Sequence, residues 1–269
     1  MRNRCLALLF LFSFPFLNAE EQRIVSLAPA LTELVFQLGK GDTLAGRSDA
    51  CDYPPEVKKV PVAGHFADPE LERTLRLRPT LIIANDLIRP ALLKTFEKAK
   101  IKVVLMQCRT PEDYYLWVKR LGDLLGCPGK AEAEIRRMRS RLAEFERKAA
   151  ESPAGKKILW VIWDSPLMVA GKGSLPDTVI RLAGGKNLAA GVDQEYFKAS
   201  YDWLLRNPPD VIVWTAAGRP EQSHSFWKQL AAVREGRVVA GIDPDLIQRP
   251  GPRLPEGIGA LRAELEKFQ

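Results

Sequence analysis

Histidine is scarce in this 269-residue chain: there are two, His65 and His224, far apart in sequence. Direct capture of a bare transition-metal ion needs several His, Cys or carboxylate ligands converging on one point. Two distant histidines therefore argue against a zinc or manganese site. Serine-hydrolase chemistry lacks its frame as well, because no G-x-S-x-G elbow is present. The Gly171-Lys172-Gly173-Ser174 stretch lacks the preceding glycine spacing of a phosphate-binding loop. It reads as a turn between a strand and a helix. Clustered positive charge is also missing. The formal net charge is +7, yet many basic residues alternate with Glu over 132–148, as on a solvated helix face. No interleaving of basic and aromatic residues makes a nucleic-acid footprint.

Long apolar runs are absent after the first twenty residues, so no later segment reads as a membrane span. The N-terminus itself has Arg2 and Arg4, an apolar stretch over 5–17 broken by Pro15, and Ala19 before Glu20-Glu21. This is the pattern of a secretory signal peptide, with cleavage expected near Ala19. Cys5 stands at the start of the apolar stretch rather than after it and is badly placed to carry a lipid, so a soluble mature protein is expected. Cysteine is sparse beyond the leader: Cys51, Cys108 and Cys127 are odd in number and match no metal spacing. Export permits a disulfide. Either Cys51 and Cys108, both following expected strands, are bridged, or the thiols are buried and free.

About 250 residues follow the leader, enough for one large domain or two smaller ones with real cores. Over 20–128, short apolar runs alternate with helical patterns. Strands are expected at 24–27, 43–46, 81–84 and 103–106, and helices at 30–38, 69–76, 90–99 and 111–125. Pro69, Pro90 and Pro111 stand where first helical turns would start. The segment 129–152 is different. Its interior, 130–151, contains neither Gly nor Pro, and Ile135, Met138, Leu142 and Phe145 recur at helical spacing. The alternation resumes over 153–269, with strands at 158–163, 168–170, 211–214 and 238–241 and helices at 175–183, 200–206, 225–230 and 255–268. The fold class is thus α/β: two lobes with mainly parallel sheets, joined by a single long backbone helix. Such lobes face each other across a cleft and move little, and the strand C-terminal ends line that cleft.

The motifs IVSLAPALTE, LVFQLGKGD, CDYPPE, LERTLRLRPTLII, LAGGKN, NPPDVIV and RPGPRL, with the 171–174 turn, occur in an order that carries a family likeness. Through them the chain resembles the helical-backbone periplasmic binding proteins that deliver metal chelates to ABC importers, and most nearly their cobalamin-binding branch. The likeness spans nearly all of the mature chain. It implies a protein without enzymatic activity or intrinsic cofactor, located in the periplasm and monomeric. Its cargo would be cobalamin or a related corrinoid, and its partner an inner-membrane permease.

By similarity, Tyr53, Phe66 and Tyr196 fall where ligand-stacking aromatics occur, Tyr196 in the loop before the helix at 200–206, and Trp163 is a further candidate. The alternative is that these rings are core or capping aromatics. Asp245, in the loop before RPGPR, either accepts hydrogen bonds from ligand amides or caps a turn. Arg249 either lines the cleft or pairs with a carboxylate, while Arg253 anchors the C-terminal helix. His65 reaches the ligand as an axial ligand to a chelated metal or stands at the rim. Two departures matter. Asn85 stands where the branch can carry tryptophan, and Met168 where an aromatic can occur. Glu72 and Asp202, one in each lobe, match the acids with which the family docks to permease arginines. Both also lie in first helical turns, where an acid suits the helix dipole. A ferric siderophore or haem is the alternative cargo, and an enzyme or scaffold on this fold the alternative class. An anionic siderophore calls for clustered cleft arginines, a corrinoid for aromatics and amide partners.

Overall fold

The computed structural model describes residues 22–107, 109–151 and 155–268. The expected leader and Cys108 lie outside the described residues. The first lobe is built on β1 (Ile24–Ser26), β2 (Leu44–Ser48), β3 (Val62–His65), β4 (Asp68–Pro69), β5 (Leu81–Ala84) and β6 (Lys102–Leu105). They form one sheet in the order β4-β3-β2-β1-β5-β6, parallel except for the β3–β4 hairpin. Ile24 and Val25 of β1 and Ile82 and Ile83 of β5 are wholly buried, as befits central parallel strands covered on both faces. Helices α1 (Pro29–Gln37), α2 (Leu71–Arg76), α3 (Pro90–Lys98) and α4 (Pro111–Leu124) supply those covers. The strand order reverses between β1 and β5, which places the lobe's binding crevice at their carboxyl ends.

Helix α5 (Pro128–Ala150) has 23 residues, about 34 Å of rod. It buries Ala131, Glu134, Met138, Leu142 and Phe145, a single stripe at three- and four-residue spacing. The second lobe follows with β7 (Lys157–Trp163), β8 (Met168–Ala170), α6 (Leu175–Leu182), β9 (Lys186–Asn187), β10 (Tyr196–Lys198), α7 (Tyr201–Arg206), β11 (Val211–Trp214), α8 (Ala231–Arg234), β12 (Val238–Val239), α9 (Pro244–Ile247) and α10 (Leu254–Glu266). Its sheet runs β10-β8-β7-β11-β12, with β9 also on β7. The β7–β8 and β8–β10 pairs are antiparallel.

A continuous apolar core runs from Ile24 and Leu31 through Met138 and Phe145 to Ile158, Ile180 and Leu261. Polar ties reinforce it. Buried Glu134 accepts hydrogen bonds from the Tyr114 hydroxyl (2.7 Å), from Gln37 (3.1 Å) and twice from Arg137 (2.7 and 2.8 Å). Arg137 also donates to the Pro252 carbonyl at 2.8 Å. Arg253 bridges to Glu33 of α1 through Nε (2.9 Å) and Nη2 (2.6 Å). These contacts join α1, α4 and α5 to the segment that leads into α10.

The fold departs from the sequence reading in four places. Pro69 does not start a helix; it pairs with Gly64 in the β3–β4 hairpin, and α2 begins at Leu71. Proline is tolerated in this edge strand because its missing N–H faces no partner. Gly64 has φ +143°, and a Cβ there would lie 2.4 Å from the Glu70 nitrogen, so the hairpin needs glycine. Tyr196 stands on β10 rather than in a loop, held by antiparallel pairing with Ala170. Asp245 lies in the first turn of α9, not in an open loop, with Asp243 as its cap. The expected helix at 225–230 is a 3-10 turn over Ser225–Gln229, followed by α8.

Candidate functional site

A cleft of about 590 Å³ separates the lobes, within the usual range for small-molecule sites. The first lobe contributes Ala28, Pro29 and Ala30 after β1, Asn85, Asp86 and Leu87 after β5, and Met106, Gln107 and Arg109 after β6. These are the strand ends that the reversal in strand order singles out. The second lobe contributes Glu195 and Tyr196 at the start of β10 and Asp245, Gln248, Arg249 and Pro250 around the end of α9.

Two exposed aromatic rings face this space from opposite sides, and the buried Trp117 also lines it, its indole N–H donating to the Gln107 carbonyl at 2.9 Å. Phe66 sits on the two-residue turn of the β3–β4 hairpin, which holds it at the rim; it is 42% exposed. Tyr196 projects from β10 and is 43% exposed. Large rings left this open around one cavity are the kind of surface that a ligand covers. Burial pushes the Tyr196 phenol up and neighbouring Glu195 adds to this, against a smaller opposing effect from Arg109. At neutral pH the phenol is therefore a proton donor.

Charge in the cleft is paired. Arg249 reaches Asp245 at 2.8 Å and, across the lobes, Asp52 at 3.1 Å. Although burial pushes Asp52 up, the Arg249 guanidinium holds its carboxyl below the usual range. Asp245 moves the other way: burial raises it and the negative charges of Asp52 and Asp243 add to the rise, against the pull of Arg249. Arg109 meets Glu195 across the cleft at 3.5 Å. Gln107 donates to Asp86 at 2.7 Å. Among the lining residues, two arginines face three carboxylates, Asp86, Glu195 and Asp245, and three side-chain amides, Asn85, Gln107 and Gln248.

Of the residues singled out in the sequence, Phe66, Tyr196, Asp245 and Arg249 converge on the cleft, while Tyr53 and Trp163 lie outside its lining. The Tyr53 ring packs under the Arg253 guanidinium, 3.9 Å from the ring centre. Trp163 ends β7 at 60% exposure and donates to the Ser165 carbonyl at 3.1 Å. His65 projects into solvent and pairs with Asp49, Nδ1 to Oδ2 at 2.6 Å. Met168 is paired with Trp163 across β7 and β8. Cys51 is a buried free thiol between the hydroxyls of Thr32 (3.0 Å) and Ser48 (3.2 Å), and Cys127 is also free and buried. Among the described residues no group of three His, Cys, Asp or Glu could hold a metal ion, and no helix is long and apolar enough to cross a membrane. Sequence reading missed Asp86, Leu87, Gln107, Arg109, Trp117, Glu195 and Gln248. The first four directly follow expected strands, which was signal enough to find them. Trp117, inside the stripe of α4, read as core, and Glu195 and Gln248 carried no signal.

Glu72 and Asp202 are both exposed and occupy equivalent positions in the six-residue helices α2 and α7. Three residues on, Leu75 and Leu205 are exposed on the same helical faces.

The family model described as "Periplasmic binding protein" matches residues 24–245. The chain belongs to the periplasmic binding proteins. This periplasmic binding protein is 30% identical over 255 residues to the vitamin B12-binding protein of Photorhabdus laumondii, covering 92% of this chain and 89% of that one. Among solved structures it is similar to a periplasmic heme-binding protein from Pseudomonas aeruginosa, with a TM-score of 0.79, 31% identity and coverage of 91% and 92%. It is similar also to the periplasmic vitamin B12-binding protein BtuF of Vibrio cholerae, with a TM-score of 0.77, 25% identity and coverage of 92% and 98%. The two-lobed α/β fold is that of BtuF. As a member of this family the protein is an extracytoplasmic substrate-binding component of an ABC importer, a transport part rather than an enzyme.

Proposed function

We propose that the interlobe cleft holds cobalamin or a related corrinoid for delivery to the importer. The observation that carries this reading is the charge pairing. Haem brings two propionates and ferric siderophores are commonly anionic, so either would be served by cations free to receive them. Here Arg249 is engaged by two carboxylates and Arg109 by one. A corrinoid instead presents a broad apolar face and an amide-bearing periphery. Phe66 and Tyr196 suit the face; Asn85, Gln107, Gln248 and Asp245 suit the amides. Asn85, where a tryptophan can stand, leaves one wall lower and accommodates a corrinoid of different outline.

One observation favours haem as the second reading: the Tyr196 phenol is a group able to ligate ferric iron, and the Pseudomonas aeruginosa heme-binding protein is 31% identical. Absorbance titrations of the purified protein with cyanocobalamin, haemin and a ferric siderophore distinguish the cargoes. Saturable cyanocobalamin binding at micromolar concentration or below is expected. No such binding overturns the corrinoid reading, and a haem spectrum with a tyrosinate band in its place establishes the second. We further propose that Glu72 and Asp202 dock the loaded protein on the permease, orienting the encounter more than strengthening it. Charge removal at both positions is expected to abolish importer-dependent uptake while ligand affinity is unchanged.

A further inference from the structure

We infer that Glu195 is a specificity-determining residue, a charge filter that keeps the cleft closed to anionic chelates by occupying Arg109. This rests on the corrinoid reading and deepens it. Arg109 follows β6 in the first lobe and Glu195 precedes β10 in the second, so their contact at 3.5 Å spans the binding space itself. Both side chains are well exposed to the cleft, at 54% and 39%. The pair is therefore loose, and Arg109 has reach to turn toward a ligand. Asp113 also lies near Arg109, but its carboxylate is committed to the backbone N–H groups of Arg109 and Thr110 and caps α4. The Glu195 backbone is fixed, its carbonyl accepting from the Gly171 N–H at 2.8 Å. Arg249, by contrast, has two carboxylate partners and is mostly buried. Arg109 is thus the lining arginine that a single change releases, and Glu195 is the group that restrains it.

The test uses E195Q, which keeps the shape and the hydrogen-bonding capacity but removes the charge, and three probes. Ferric protoporphyrin carries two carboxylates, its dimethyl ester carries none, and cyanocobalamin is neutral overall. At low salt, E195Q is expected to bind the free-acid porphyrin about tenfold more tightly than the parent does, the scale of one charge contact at partly exposed distance. The gain shrinks with added salt. The dimethyl ester, which brings no charge to Arg109, gains less than about threefold, below the scale of such a contact. In R109Q/E195Q the gain disappears. An unchanged free-acid affinity in E195Q, an equal gain with the ester, or a gain that survives in the double variant each overturns the filter. Failure of the parent to bind cyanocobalamin overturns the corrinoid reading alone, because the free-acid and ester comparison still decides the role of Glu195.

Discussion

The bridge between Glu33 and Arg253 gives the sharpest test of how the lobes are held together. Glu33 is 5% exposed and Arg253 13%, and two hydrogen bonds of 2.6 and 2.9 Å join them in a fork geometry. The free face of the guanidinium is covered by Tyr53 at 3.9 Å. Glu33→Ala strands a buried cation. Removing one partner of such a pair costs about 3–5 kcal/mol, and the ring that stays on Arg253 places this case near about 3 kcal/mol. For a chain of this size each kcal/mol moves Tm by about 2–4 °C, so the midpoint should fall by about 6–12 °C. Glu33→Leu combined with Arg253→Met removes both charges and should recover most of the loss, because desolvation of the pair offsets much of its attraction. Urea titrations followed by circular dichroism, with thermal melts of both variants, measure the two effects. A single variant within about 2 °C of the parent, too small for a buried pair, refutes the reasoning. So does a double variant no more stable than the single.

Alanine at Tyr196 or Phe66 should weaken cyanocobalamin binding by about 1 kcal/mol each, roughly fivefold, whereas Trp163→Ala, outside the cleft, should leave calorimetric affinity unchanged. His65 should titrate above its ordinary value, first through the hydrogen bond with Asp49 and then through the charge of that carboxylate. Asp49 is lowered by the same bond. The pair's contribution is therefore lost as pH rises through the His65 value and, separately, as pH falls through the Asp49 value. An NMR titration in which Asp49→Asn leaves His65 unmoved contradicts this. Burial raises the Cys51 thiol, so iodoacetamide with peptide mapping should modify Cys51 only after unfolding; ready labelling of the native protein would count against its burial.

Where an apolar run is bounded by proline, glycine or polar residues, sequence reading located the strand to the residue, as at β5, β8 and β11. The long helix was legible except for its first turn: the breaker-free stripe after Gly129 has no competing reading, whereas Pro128 and Gly129, which open the helix, read as a linker. The β3–β4 hairpin was not. Its four-residue strand contains a glycine, and Pro69 resembles a helix start until Gly64 is seen opposite it. β10 was hidden for a different reason: three residues become a strand only because β8 offers an edge. In the cleft, the resemblance pointed to Phe66 and Tyr196, but it pointed equally to Tyr53 and Trp163, which lie outside the lining, and Trp117 went unnoticed inside a helical stripe. Glu195 was not legible, since its meaning lies in an arginine 86 positions away that only the approach of the lobes brings near.

The shared core and the rod of α5 have a kinetic consequence. A carrier whose walls are already in position has no closing step to follow the encounter, so cargo capture should proceed in one phase whose rate rises linearly with ligand concentration. Such a frame should store no strain on loading that could later eject the cargo. The work of prising the ligand loose should then fall to the importer that receives it.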